Sequence, residues 1–114
     1  MKPQRIQLKR SSGFNLQAVS LALNGLAAVS CARGHNRKWG NPWKVGEWSG
    51  TLQRRMTRAD AVLRFKTELL SAESGNFRRL RDLAKTELRG KNLGCFCPPS
   101  EPCHCDVWLE VANS

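Results

Sequence analysis

The stretch Leu93-Gly94-Cys95-Phe96-Cys97-Pro98-Pro99-Ser100-Glu101-Pro102-Cys103-His104-Cys105-Asp106 decides the fold class of this chain. A short apolar run before two prolines predicts a strand over Leu93–Phe96 that ends in a loop. Proline favours the first turn of a helix, and apolar residues then recur at helical spacing, so a helix is predicted from about Pro102 to Ala112. The stretch therefore indicates a strand, a loop and a helix in immediate succession.

The segments before this stretch supply further strands. Arg5–Lys9 alternates polar and apolar side chains, which predicts a half-buried strand. Leu26–Ala32 is short and apolar between turn signals, so it predicts a buried strand, whereas Leu16–Leu23 is ambiguous between helix and strand. Arg33–Gly50 is rich in glycine and tryptophan and is predicted to be a long functional loop.

Two helices are predicted between this loop and the last strand. Thr57 and Asp60 have the spacing of a helix-capping pair, and the first helix continues to the break at Ser74-Gly75-Asn76. The second helix continues to Gly90. In both helices apolar residues recur at helical spacing, which predicts that one face of each packs inward. The order of elements predicts an α/β fold in a single domain, 1–114, with a sheet of about three to four strands and about three packed helices.

The charge of the chain favours an anionic partner. Lys and Arg number 19 and Asp and Glu number 9, which gives a net charge of +10. DNA, RNA, a nucleotide or an acidic protein surface would each match this excess. No segment is long and apolar enough to span a membrane, and no signal peptide is recognised, so we expect a cytoplasmic protein with reduced thiols.

The cysteines indicate a metal or thiol site. Five are present, and four of them lie within Cys95–Cys105. In one interpretation Cys95, Cys97, Cys103 and His104 hold zinc, with Cys105 as the alternative fourth ligand. In a second, Cys97 or Cys103 is a reactive thiol, His104 its acid/base partner and Asp106 an orienting or sugar-binding carboxylate. The catalytic residues would then be His104, Asp106 and Cys97. In a third, the thiols only pack a tight turn. All three stay open.

A basic and aromatic segment is the second candidate site. Arg33, Arg37, Lys38, Trp39 and Asn41 combine cations with a flat ring and a tight turn, as a binder of nucleotides or single strands requires. Core packing is the favoured interpretation for the later tryptophans, Trp43 and Trp48. On the second predicted helix, Arg78, Arg81 and Lys85 share one face and could contact phosphates, although such a face is usually only solvated.

These motifs resemble a family of small, uncharacterised bacterial and phage proteins. The resemblance rests on Lys38-Trp39-Gly40-Asn41-Pro42, on Cys95-Phe96-Cys97 and on Pro102-Cys103-His104-Cys105-Asp106. It implies a protein of a bacterial cell or of a phage that infects one, and it names no reaction. The segment Leu16–Ala28 is longer than in the family pattern. Cys105 stands where the family has a small residue, so it is the clustered cysteine least expected to share a function.

The sequence therefore predicts a basic α/β protein that binds nucleic acid or a nucleotide. The Cys/His loop, with or without zinc, would face the loop around Trp39. Whether the protein is an enzyme stays open, and the alternative is an enzyme that processes nucleotides or bases by hydrolysing or transferring a glycosidic bond. A second alternative is a phage-type protein that binds an acidic host protein.

Overall fold

The computed structural model describes residues 2–32 and 38–114. Helices and strands alternate in the first part of the chain, and helices dominate the second. In chain order the elements are β1 (Arg5–Gln7), α1 (Leu16–Asn24), β2 (Ala28–Ser30), β3 (Trp48–Ser49), β4 (Arg54–Arg55), α2 (Arg58–Ser71), α3 (Gly75–Glu87), β5 (Asn92–Cys95) and α4 (His104–Ala112). The predicted α/β class is confirmed.

The main sheet has three parallel strands in the order β1-β5-β2. Ile6 on β1 and Ser30 on β2 both pair with Gly94, so the last strand of the chain lies at the centre. All four residues of β5 are buried, as expected for a parallel strand that is covered on both faces. Because the strands are parallel, the segments that follow them emerge at the same edge of the sheet.

A buried amide network joins α1 to the sheet. The Asn92 Nδ2 group donates to Ser20 Oγ at 2.7 Å and to Asn24 Oδ1 at 2.8 Å, and Asn24 Nδ2 donates back to Asn92 Oδ1 at 3.0 Å. The helix therefore turns polar residues inward, while Leu21 is 57% exposed. Because polar residues mark the buried face of α1, the apolar pattern of Leu16–Leu23 did not distinguish a helix from a strand. Burial of these amides is favourable because each finds a hydrogen-bond partner.

The predicted start of α2 is confirmed. The Asp60 N–H donates to Thr57 Oγ1 at 3.2 Å, and the Thr57 N–H donates to Asp60 Oδ2 at 2.8 Å, which forms a capping box. The Arg54 guanidinium also binds this carboxylate, with its Nη2 2.9 Å from Asp60 Oδ1. Hydrogen bonds from Arg54 and Thr57 lower the pKa of Asp60 to about 2. The carboxylate therefore stays charged, and the cap stays formed, in mildly acidic solution.

Helices α2, α3 and α4 pack on one another around a shared aromatic core, and α4 lies against the sheet. Phe65 of α2 contacts Trp108 of α4 edge to face, with ring centroids 5.4 Å apart. Trp108 is fully buried, and its Nε1 donates to the carbonyl of Trp39 at 2.8 Å. Leu80 and Ala84 of α3 complete this core. The helical faces that the sequence predicted to point inward are the buried ones.

The segment predicted as a long loop, Arg33–Gly50, contains an element that the sequence analysis missed. Its last residues form β3, which pairs with β4 in an antiparallel hairpin with Trp48 opposite Arg55. Each strand has two residues, too few for a period-two pattern to be detected. No helix in residues 2–32 and 38–114 is long and apolar enough to cross a membrane.

Candidate functional site

An open cleft lies at the edge of the sheet where the three parallel strands end. Its volume is about 740 Å³, and Arg10, Ala32 and Phe96 each follow one of the three strands and line it. The opposite wall comes from the segment before the hairpin and from the start of α2. The further lining residues are Asn41, Trp43, Lys44, Val45, Arg58, Ala61, Val62, Cys95, Cys97, Pro102, Cys103 and His104.

Three buried cysteines meet beside this cleft. Cys95 ends β5, Cys103 precedes α4 as its N-cap, and Cys105 lies in the first turn of that helix. Their sulfur atoms all lie within 4.8 Å of one another, and the Sγ atoms of Cys95 and Cys103 are 2.9 Å apart. Thiolates are preferred ligands of soft and borderline metal ions. The three side chains could therefore hold a metal ion.

The surroundings of Cys103 favour the charged form of its thiol. The Cys105 N–H points at the Cys103 sulfur from 3.5 Å, and the positive end of the α4 dipole lies at the same place. Hydrogen bonds from the thiols of Cys105, Cys95 and Cys97 lower the pKa of Cys103. The same contacts with Cys103 raise the pKa of Cys97 and that of Cys105. The cluster thus offers a thiolate that its neighbouring thiols stabilise.

His104 is a buried neighbour of the thiolate. Its Nε2 lies 2.7 Å from the carbonyl oxygen of Cys31, which only accepts hydrogen bonds, so Nε2 carries a proton. Its Nδ1 lies 3.7 Å from the Cys103 sulfur. Burial acts to lower the pKa of His104, but the Cys103 thiolate and the Cys31 carbonyl together raise it. The second ring nitrogen is thus directed toward the sulfur cluster, where it could act as a ligand or as an acid/base group.

Cys97 occupies the cleft side of the cluster. It is half-buried, and the Arg58 Nη1 donates to its sulfur at 3.3 Å. Two of the predicted metal ligands, Cys95 and Cys103, form the three-sulfur group together with Cys105. The other two predicted ligands, Cys97 and His104, lie next to Cys103 but outside this group. Cys105 was the least expected ligand from the sequence. It joins the group because the first turn of α4 brings its thiol back toward the N-cap sulfur.

Asp106 is directed away from the cleft lining and toward Arg5. Its Oδ2 accepts from the Arg5 Nη1 at 2.9 Å and from the N–H of Cys103 at 3.3 Å, which completes a capping box. The structure therefore places this predicted catalytic carboxylate as a helix cap and ion-pair partner. A catalytic role for it would require contact with a ligand, and the cleft residues do not include it.

Arg5 is a site-forming residue that the sequence analysis missed. Its side chain is 11% exposed, and its guanidinium donates to three backbone carbonyls of the Cys/His loop, those of Pro98 at 3.0 Å, Pro99 at 2.7 Å and Glu101 at 2.9 Å. With Asp106 as a fourth acceptor, one side chain from β1 holds the loop between Cys97 and Cys103. In the sequence, the only indication of a structural role for Arg5 was its position at the start of a strand with alternating polar and apolar residues.

The described residues of the basic and aromatic segment have different surroundings. Arg33 and Arg37 lie outside the described residues. Lys38 forms an ion pair with Glu87 at 2.7 Å, and Trp39 is 2% exposed and packs edge to face on Trp108. Trp39 is therefore a core residue, which corrects the expectation that its ring faces a ligand. Its large apolar surface is better buried than exposed in so small a domain.

The other two tryptophans of this segment differ from each other. Trp43, expected in the core, packs against it while half-buried, stacks on Phe77 with centroids 5.7 Å apart, and also lines the cleft. Trp48, also expected in the core, is 61% exposed. Asn41 is buried, donates from Nδ2 to the carbonyl of Ala61 at 3.0 Å and accepts from the Trp43 N–H at 2.9 Å. It thereby positions Trp43 against α2 at the cleft wall.

The predicted basic face of α3 lies apart from the cleft lining. Arg78 is 3.5 Å from Asp82, as expected for residues four apart on a helix. Arg81 donates to the carbonyls of Leu69 and Leu70 at the end of α2, and Lys85 is exposed in the last turn of α3. The structure thus gives Arg78 and Arg81 intramolecular partners and does not bring the three cations to the thiol cluster.

The cations that do line the cleft come from three separate segments. They are Arg10, Lys44 and Arg58, and no carboxylate is among the lining residues of the described chain. The Arg10 guanidinium lies 4.5 Å above the Phe96 ring, which keeps the cation at the cleft surface. Arg58 is also 3.9 Å from Glu101. Of these three cations, only Lys44 lies within Arg33–Gly50, the segment predicted to be a long functional loop.

The fold and the site define a small basic α/β protein with a thiol cluster beside a cationic cleft. A family model, domain of unknown function (DUF4326), matches residues 5–114. The chain therefore belongs to this family, which confirms the predicted membership of an uncharacterised family. Comparison with curated proteins and with solved structures gives no match.

Proposed function

We propose that this protein binds a nucleotide or nucleic acid in the cleft, and that the adjoining cysteine cluster holds a zinc ion. The observation that carries the proposal is the composition of the cleft. Arg10, Lys44 and Arg58 line it together with the rings of Trp43 and Phe96, and no carboxylate accompanies them among the described lining residues. Phosphate groups would be attracted to the cations, and bases can stack on the rings.

The net charge of +10 supports an anionic ligand independently of the cleft. Such an excess raises the local concentration of polyanions and accelerates their association. Arg10 and Lys44 form no ion pair with a carboxylate in the part of the chain that the structure describes. These two cations are therefore the best candidates for direct contact with phosphate.

Zinc fits the donor set of the cluster. Tetrahedral zinc takes four nitrogen or sulfur ligands, and Cys95, Cys103 and Cys105 would supply three of them. The His104 Nδ1 or the Cys97 thiol, both adjacent to Cys103, would supply a fourth. A bound zinc would tie the end of β5 to the start of α4. It would thereby hold the loop that carries Phe96 and Cys97 into the cleft.

The cleft proposal is tested by removing the two cations without carboxylate partners. Arg10→Ala combined with Lys44→Ala is expected to weaken binding of a single-stranded oligonucleotide by about tenfold or more at 0.1 M salt, because two phosphate contacts are lost. The slope of log K against log salt should fall by about 1.4, as two contacts to a single strand predict. Fluorescence anisotropy at several salt concentrations measures both quantities.

The matched control carries the same charge change on α3. Arg78→Ala combined with Lys85→Ala also removes two cations, but neither residue lines the cleft. This variant should retain the affinity and most of the salt slope. Equal losses in the two double variants would show that only the net charge attracts the ligand, and salt-independent binding by the unmodified protein would reject the proposal.

Catalysis on a nucleotide is the second candidate function, and the Cys103–His104 pair is the observation that favours it. A stabilised thiolate 3.7 Å from an imidazole nitrogen resembles an activated nucleophile with its acid/base partner, and both residues line the cleft. Release of free base from a nucleoside or nucleotide should then fall by about 100-fold or more in His104→Gln with the fold intact. Absence of base release by the unmodified protein, measured by chromatography, would exclude this candidate.

A further inference from the structure

The β3–β4 hairpin is rooted in the wall of the cleft. Lys44 and Val45 line the cleft immediately before the hairpin, and Arg58 lines it immediately after. Two backbone hydrogen bonds close the base, from the Gly46 N–H to Met56 O and from the Met56 N–H to Glu47 O, each 2.8 Å long. The hairpin is thus an extension of the wall that carries two of the three cleft cations.

This hairpin exposes an aromatic ring next to a cation. Trp48 is 61% exposed, the highest exposure among the tryptophans of the chain, and it pairs across the strands with Arg55. Arg55 is itself exposed, and its Nη1 donates to the carbonyl of Gly46 at 3.0 Å, so its guanidinium is held at the hairpin base. The exposed indole face can stack on a flat ligand, and the neighbouring guanidinium can hold a negative charge beside it.

The cation that the hairpin offers to an anionic occupant is Arg55. Arg54 is already paired with Asp60 of α2, whereas neither Arg55 nor the hairpin carboxylate Glu47 forms an ion pair among the residues that the structure describes. A ring beside a guanidinium, continuous with a cationic cleft, is the combination that binds successive nucleotides of a single strand. A duplex would fit this combination less well, because its bases are already stacked on one another.

We infer that the ligand is a single-stranded polynucleotide that occupies the cleft and continues along the hairpin, with one base stacked on Trp48. The inference rests on the proposed function and narrows its ligand from any nucleotide to a strand that spans both surfaces. A mononucleotide would occupy only the cleft between Arg10 and Lys44, and it would leave Trp48 without a ligand.

The test compares a strand with a mononucleotide in hairpin variants. Trp48→Ala is expected to weaken binding of an oligonucleotide of about ten residues by about tenfold, because base–aromatic stacking is lost. It should leave the affinity for a mononucleotide unchanged, and Trp48→Phe should retain most of the strand affinity. Leu52→Ala is the matched control, because Leu52 is another exposed apolar residue of the hairpin, at 44%.

The outcomes separate the inference from the proposed function. A loss confined to the oligonucleotide and to Trp48→Ala supports the inference. If Trp48→Ala has no effect on the strand while Arg10→Ala with Lys44→Ala weakens it, the cleft binds nucleic acid and the hairpin inference is wrong. Equal affinity for strand and mononucleotide also overturns the inference. If neither ligand binds at any salt concentration, the proposed function itself fails.

Discussion

Cys103→Ser is expected to abolish metal binding while leaving the start of α4 in place. Cys103 lies at the centre of the cluster, 2.9 Å from the Cys95 sulfur and 3.7 Å from the His104 Nδ1. Serine is a poor zinc ligand but a preferred N-cap residue, so its hydroxyl can take over the hydrogen bonds that begin the helix. The substitution thereby separates loss of the metal from loss of the helix.

The loss of stability that accompanies loss of the metal follows from the linkage between metal binding and folding. An ion that binds only the folded chain contributes about 2.7 kcal/mol to the free energy of unfolding when its free concentration is about 100 times its Kd. The unmodified protein should hold about one zinc per chain and lose about 3 kcal/mol of stability in excess chelator. Cys103→Ser should contain little zinc, and its stability should not respond to chelator.

Elemental analysis with thiol titration, followed by urea unfolding with and without chelator, measures this result. Cys31→Ser is the matched control, because Cys31 is fully buried like the cluster cysteines and its thiol contacts that of Cys105, but it lies outside the three-sulfur group. It should keep its zinc. Unmodified protein without zinc and with freely titrating thiols would reject the metal site, and zinc retained in Cys103→Ser would reject the ligand assignment.

Arg5→Met is expected to loosen the Cys/His loop and to destabilise the protein by about 3 kcal/mol. The substitution removes, from a largely buried side chain, the guanidinium that donates to Asp106 and to the carbonyls of the loop. Hydrogen bonds from a charged donor contribute about 1.5–3 kcal/mol each, but the exposed acceptors will regain water when the donor is lost. The net effect should therefore be well below the sum of four bonds.

The affinity for zinc should fall together with the stability, because Arg5 acts on the loop that connects Cys97 to Cys103. Arg5→Lys is the informative intermediate, since an ammonium keeps the ion pair but has three donors and lacks the planar fork. Lys9→Met serves as the control, because Lys9 follows the same strand and is exposed. Unchanged urea unfolding and zinc affinity in Arg5→Met would contradict the positioning role.

Much of the fold was predictable because its signals are local. The capping box of Thr57 and Asp60 spans four residues, and the apolar residues that form the buried faces of α2 and α3 recur at every turn of the helix. The cysteine cluster was also predictable as a location, because strand, loop and helix follow one another within Cys95–Asp106. Which thiols approach one another was not predictable, since adjacent residues such as His104 and Cys105 diverge only once α4 has formed.

The sequence by itself determined the α/β class, the inward faces of the later helices and the position of the thiol-rich loop, because neighbouring residues encode each of these features. Only the tertiary structure decided which tryptophan is buried, why α1 turns Asn24 inward, and which cations share the cleft. Asn24 is buried because Asn92, 68 residues away, satisfies its amide. The three cleft cations, Arg10, Lys44 and Arg58, lie close together because the tertiary fold brings distant segments to one edge of the parallel sheet. No local sequence pattern predicts this arrangement.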